Sequence, residues 1–132
     1  MPRRKLLFLS TDLAGNQNIE SFLLKKGLEA LFLTTLPDLK KELVISTYSL
    51  VFLDIDAISV GNREIKELKT SFPETFFFCM SKDPFHPEIK EAISNYIFAC
   101  MAKPLDLDEL TFWIESIESV NGATVASSQN AH

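Results

Sequence analysis

Residues 50–56 read Leu50-Val51-Phe52-Leu53-Asp54-Ile55-Asp56. Four apolar residues run straight into a carboxylate. A short continuous apolar run bounded by polar segments suits a strand buried on both faces. An unpaired charge is expensive to bury. Asp54 therefore belongs at the strand's end, where the chain leaves the core.

Similar runs recur at 6–9 (LLFL), 28–34 (LEALFLT), 75–80 (TFFFCM) and 97–101 (IFACM). Between them apolar residues return at helical spacing. Ile19, Phe22 and Leu23 form one stripe, closed by Gly27, which accepts the left-handed cap. Leu36, Leu39 and Leu43 form a second, with Pro37 suited to a first helical turn. Ile65 and Leu68 mark a third helix around 63–70, and Pro73 breaks the pattern. Pro87 opens a fourth, carrying Ile89, Ala92, Ile93 and Tyr96. Leu110, Trp113, Ile114 and Ile117 mark a fifth, with Asp106 or Asp108 as its cap. From Gly122 the chain turns small and polar, which predicts a disordered tail over 122–132.

Five strands alternate with five helices. Strands apolar on both faces need helices above and below, which defines a doubly wound, parallel α/β sheet. In such sheets ligands bind beyond the carboxyl ends of the strands. Asp54 stands at one of these ends. So do Ser10, Thr11 and Asp12, then Asp56, Ser81 with Lys82, and Lys103 with Pro104. Carboxylates, hydroxyls and an ammonium converging on one rim suit a phosphoryl group.

The bulk composition narrows the function classes. The 132 residues suit one domain, and such a chain buries roughly two thirds of its unfolded surface. Apolar residues make up 46% and charged residues 23%, ordinary for a globular protein. The 11 Phe against one Trp and two Tyr must be mostly core. A net charge of −5 argues against nucleic acid as the main partner. The apolar run after Arg3, Arg4 and Lys5 has four residues, short of the about 7–15 of a signal peptide. No run approaches the about 18 that span a membrane. The expected location is cytoplasmic. Cys79 and Cys100 lie inside apolar runs and read as buried free thiols. With His86 they show no metal-ligand spacing. Ser81 and His86 lack a third member for a catalytic triad. Gly15 stands alone, without a Gly-rich phosphate loop. A small enzyme or ligand-binding protein of flavodoxin-like fold is thereby disfavoured.

Over about residues 5–119 the chain resembles the receiver domain of bacterial response regulators. The segments LVFLDID (50–56), FFFCMSK (76–82) and MAKPLDLDEL (101–110) carry the resemblance. It implies a flavodoxin-like sheet in strand order 2-1-3-4-5 with five helices, and a receiver-like domain over 1–121. It implies Asp54 as the acceptor of a phosphoryl group from a histidine kinase, with Ser81 and Lys103 binding the phosphoryl oxygens. The family's acid pair after the first strand, which holds Mg²⁺, is replaced by Ser10 and Thr11. Asp12, one place later, and Asp56 are the remaining candidates to join Asp54 on a metal, and Mg²⁺ is doubtful. Lys82 stands where the family has a small residue, and its ammonium would offset part of the missing metal charge if it reaches inward. Cys100 replaces the aromatic switch three places before the lysine.

Two functions follow: an atypical receiver phosphorylated on Asp54, or a pseudo-receiver serving as a constitutive interaction module. Both imply a stand-alone or excerpted signalling domain in two-component phosphorelay. Its expected partners are a histidine kinase or a downstream regulator, met through the fourth helix, fifth strand and fifth helix. A homodimer through the last helix is a further expectation.

Overall fold

The computed structural model describes residues 4–83 and 86–130, with 4 and 119–130 described by their backbone alone. The apolar runs form strands β1 (Arg4–Leu9), β2 (Leu28–Leu33), β3 (Leu50–Asp54), β4 (Phe76–Ser81) and β5 (Ala99–Ala102). The stripes form helices α1 (Leu13–Lys25), α2 (Leu36–Ile45), α3 (Asn62–Ser71), α4 (Lys90–Tyr96) and α5 (Leu107–Asn130). A 3-10 turn, Pro87–Ile89, leads into α4. All strand pairs are parallel and the order is β2-β1-β3-β4-β5. This is the expected doubly wound sheet.

Side chains alternate across the strands, so each strand serves two cores. Leu7, Leu9, Val51, Leu53, Phe77 and Cys79 face the helices α2, α3 and α4 through Leu39, Leu43, Ile65, Leu68 and Ala92. Leu6, Phe8, Phe52, Phe78 and Met80 face α1 and α5 through Ile19, Leu23, Leu110, Ile114 and Ile117. The phenylalanine excess has a structural use on this second face. Phe32, Phe8, Phe52 and Phe78 stand in register on four adjacent strands. Their rings stack at 4.9, 4.7 and 5.0 Å, and Trp113 of α5 tilts against the last at 5.7 Å. Cross-strand aromatic pairs of this kind stabilise and pin register.

Local chemistry ends the elements where they end. Asp12 caps α1 by accepting the Gly15 N–H, and Thr35 caps α2 by accepting the Asp38 N–H. Gly27 adopts φ +75° after α1, the conformation its position requires. Asp106 caps α5, accepting the N–H groups of Asp108 and Glu109 at 2.8 and 3.3 Å. The fourth helix begins later than Pro87 suggests, because the 3-10 turn precedes it. The last helix continues to Asn130, through most of the stretch expected to be a disordered tail; residues 131 and 132 lie outside the described residues. Extending a formed helix costs far less than nucleating one, so weak polar sequence can follow a packed one.

Cys100 differs from expectation. Cys79 is buried, but Cys100 is exposed. It lies on β5, the edge strand, which has a neighbour on one side only.

Candidate functional site

The parallel sheet brings the carboxyl ends of β1, β3, β4 and β5 to one rim. Asp54 ends β3 and is 1% exposed. Its Oδ2 accepts from the Lys103 ammonium at 2.6 Å. Its Oδ1 accepts from the backbone N–H groups of Asp56 and Ala57 at 3.1 and 3.2 Å. Both carboxylate oxygens are thus bonded inside the chain. The Lys103 side chain is 13% exposed, so the pair is largely out of water. Such a pair is costly to break, because either charge alone is stranded.

Ser81 ends β4 and its hydroxyl turns elsewhere. Its Oγ lies 2.7 Å from Asp56 Oδ1, 2.6 Å from His86 Nε2 and 2.9 Å from the Asp83 carbonyl oxygen. It also accepts the Asp83 N–H at 3.0 Å. A hydroxyl has one proton. The Asp56 carboxylate, a charged acceptor at short range, takes it, leaving the Ser81 lone pairs for Asp83 N–H and His86 Nε2–H. Asp56 Oδ2 accepts the Lys82 backbone N–H at 2.7 Å. Burial pushes the Asp56 carboxyl up. The Lys82 N–H, the Ser81 hydroxyl, and the charges of Lys103 and His86 outweigh it, and the net direction is down. Lys103 Nζ stands 3.9 Å from Asp56 Oδ2 and joins the two clusters.

The remaining candidates take structural tasks. Ser10 is buried, and its Oγ accepts the Asp12 N–H at 3.3 Å. Thr11 is exposed. Asp12 is occupied as the α1 cap through Oδ1. Lys82 is exposed, and its backbone N–H donates to Asp56 Oδ2. One contributor was missed in the sequence. Buried Asn16 donates from Nδ2 to the Ser10 carbonyl at 3.3 Å, and its position one helical turn beyond Asp12 was the available signal. The Ser81–His86 pair considered from the sequence does meet, at 2.6 Å. Glu88 Oε1 lies 3.6 Å from His86 Nδ1, giving the Ser81–His86 pair a third neighbour, but beyond hydrogen-bond length.

Between α1 and the Asp54–Lys103 pair lies a cavity of about 70 Å³, lined by Ser10, Asp12, Asn16, Asp54, Lys103 and Leu105 among others. The Lys103–Pro104 peptide bond beside it is cis. The donors around the cavity fit Mg²⁺ poorly. That ion needs near-octahedral oxygen ligation anchored by one or two carboxylates. The Asp54 carboxylate already carries an ammonium and two amides, and Asp12 and Asp56 are engaged by backbone and hydroxyl donors. Among the described residues, no group of three His, Cys, Asp or Glu side chains converges as a metal site.

No family model matches the chain, and no curated protein matches it in sequence. Solved structures match it in fold. A signal receiver domain of an HD domain-containing protein from Pseudomonas fluorescens Pf-5 is 16% identical at TM-score 0.80, covering 96% of this chain and 94% of that one. A response regulator receiver domain protein from Methanospirillum hungatei JF-1 is 16% identical at TM-score 0.78, covering 92% and 99%. A two-component response regulator from Clostridium difficile is 21% identical at TM-score 0.77, covering 89% and 97%. The architecture is therefore that of the flavodoxin-like, doubly wound α/β domains. Within that class, the chain has the fold of response-regulator receiver domains.

Proposed function

We propose that this chain is a receiver-type signalling module that acts by protein contact, with its Asp54 site held closed and not switched by phosphoryl transfer. One observation carries the reading: both oxygens of a fully buried Asp54 carboxylate are bonded by Lys103 and two backbone amides. A phosphoryl acceptor needs an oxygen free to attack and a cation site beside it. Here the Lys103 ammonium already holds one Asp54 oxygen, Ser81 is bonded to Asp56, and Asp12 to its helix. Ser10 and Thr11 supply no charge where an acid pair would.

An aromatic patch supports docking through the edge formed by α4, β5 and α5. Phe112 is 58% exposed and Phe98 44%. Both pack edge-on against Trp113, at 5.1 and 5.5 Å. Exposed aromatics clustered this way favour protein interfaces. The partner in this reading is a histidine kinase, a downstream regulator or a second copy of the chain. No helix among the described residues is long and apolar enough to cross a membrane.

A second reading keeps Asp54 as phosphoacceptor, with Ser81 and Lys103 on the phosphoryl oxygens. The cavity beside Asp54 favours it. Incubation with acetyl phosphate or phosphoramidate and Mg²⁺, followed by intact mass, separates the two. The closed-site reading expects no added phosphoryl mass. An adduct that disappears in Asp54→Asn establishes the second reading instead.

A further inference from the structure

Cys79 and Cys100 are direct partners in the β4–β5 register. Registered neighbours on parallel strands point to the same face, so both thiols project toward α3 and α4. Adjacent strands lie about 4.7–4.9 Å apart. That falls within the Cα separation of about 4.4–6.8 Å that a disulfide accepts. The two sulfurs are near enough for the Cys79 thiol to hydrogen-bond Cys100. Their environments differ sharply. Cys79 lies in the core, whereas Cys100 is exposed on the edge strand. None of the contacts described for the Asp54 site involves either thiol.

We propose that Cys79 and Cys100 form a reversible dithiol–disulfide pair, a thiol-modification site on the open edge of the sheet that takes a hydroperoxide as oxidant. Cys100 is the attacking thiol, because it is the one a solute can reach. Its thiol is drawn down to about 7, first by the Cys79 hydrogen bond and then by the His86 charge, against the effect of burial. A thiolate fraction near neutral pH is what such attack needs. The Cys79 thiol is pushed up by the same hydrogen bond and by burial, so it stays protonated until its partner is oxidised.

The chemistry balances in two steps. The Cys100 thiolate bonds one peroxide oxygen, the O–O bond breaks and hydroxide or alkoxide leaves, giving Cys100 S–OH. The Cys79 sulfur then bonds the Cys100 sulfur, its proton joins the departing hydroxyl, and water leaves. Two thiols lose two electrons and two protons, and the hydroperoxide is reduced to water and water or alcohol. A dithiol reductant reverses the bond by exchange.

The test uses the full chain, with hydrogen peroxide as probe and intact mass after alkylation in denaturant. The reduced protein takes up alkylating agent at both thiols. After brief peroxide treatment, the expected result is a monomer two hydrogens lighter that takes up none, with both sites restored by dithiothreitol. In Cys79→Ser, peroxide should leave a sulfenic acid on Cys100 that dimedone captures, and Cys100→Ser should show neither bond nor adduct. Two alkylatable thiols after peroxide overturn the proposal. So does a wild-type product that is only Cys100 over-oxidised or disulfide-linked dimer. The wild-type measurement stands even if a variant fails to fold. A phosphoryl adduct on Asp54 in the separate donor experiment would leave this result untouched.

Discussion

At the scale of single residues, the Asp54–Lys103 pair decides how the rim behaves. A 2.6 Å contact between groups this well buried is stable only with both partners present. Lys103→Met strands a buried carboxylate and is expected to cost about 3–5 kcal/mol, read from urea unfolding. The double variant Asp54→Asn with Lys103→Met removes the charge and keeps an oxygen for the two amides. It should recover most of that loss. A single-variant cost below about 1 kcal/mol would place the pair among solvent-screened ones. Asp56 offers a second check. Its carboxyl titrates lower in the folded chain than in the unfolded one. Its network therefore contributes above the ordinary carboxylate range near about 4, and the contribution fades as pH falls through the lowered value. Ser81→Ala removes one of the bonds responsible. The stability gap between wild type and Ser81→Ala should be full at neutral pH and narrow on acidification. A gap that widens in acid contradicts the assignment.

At the scale of elements, the aromatic ladder across β2, β1, β3 and β4 explains why one face of the sheet uses phenylalanine where leucine would also be apolar. Phe52 is its centre, fully buried with a ring on each side. Phe52→Ala is expected to cost about 3–5 kcal/mol, while Phe32→Ala, at the ladder's half-buried end, should cost less. Equal losses would mean that the stack has no centre. The last helix divides differently. Its described buried contacts come from Leu110, Ile114 and Ile117, all in the first half. Removing residues 122–132 should leave the thermal midpoint within about 2 °C of the full chain, because the described buried residues of α5 all precede them. A larger drop would assign packing to the second half of α5.

At the scale of the molecule, two apolar clusters share one sheet, so neither can melt alone. Urea unfolding followed by Trp113 fluorescence and by far-ultraviolet circular dichroism should give coincident transitions. Separate midpoints would mean that the α5 face opens first. Much of this architecture was legible beforehand. Apolar runs such as 50–53 and helical stripes such as Leu110, Trp113, Ile114 and Ile117 report burial directly. Burial on both strand faces leaves a doubly wound parallel sheet as the solution. The chain alone also placed Asp54, Ser81 and Lys103 on a common rim, because parallel strands end together. What it could not assign was which donor meets which acceptor there. That depends on loop paths, such as the one carrying His86 and Asp83 back to Ser81, and loops have no periodicity to read. Nor could it tell that Cys100 faces solvent while its registered partner does not, since exposure of an edge depends on what lies beside it. Order along the chain determined the layers; only the folded contacts determined the bonding at their rim, because hydrogen bonds are settled over a few ångströms between residues far apart in sequence.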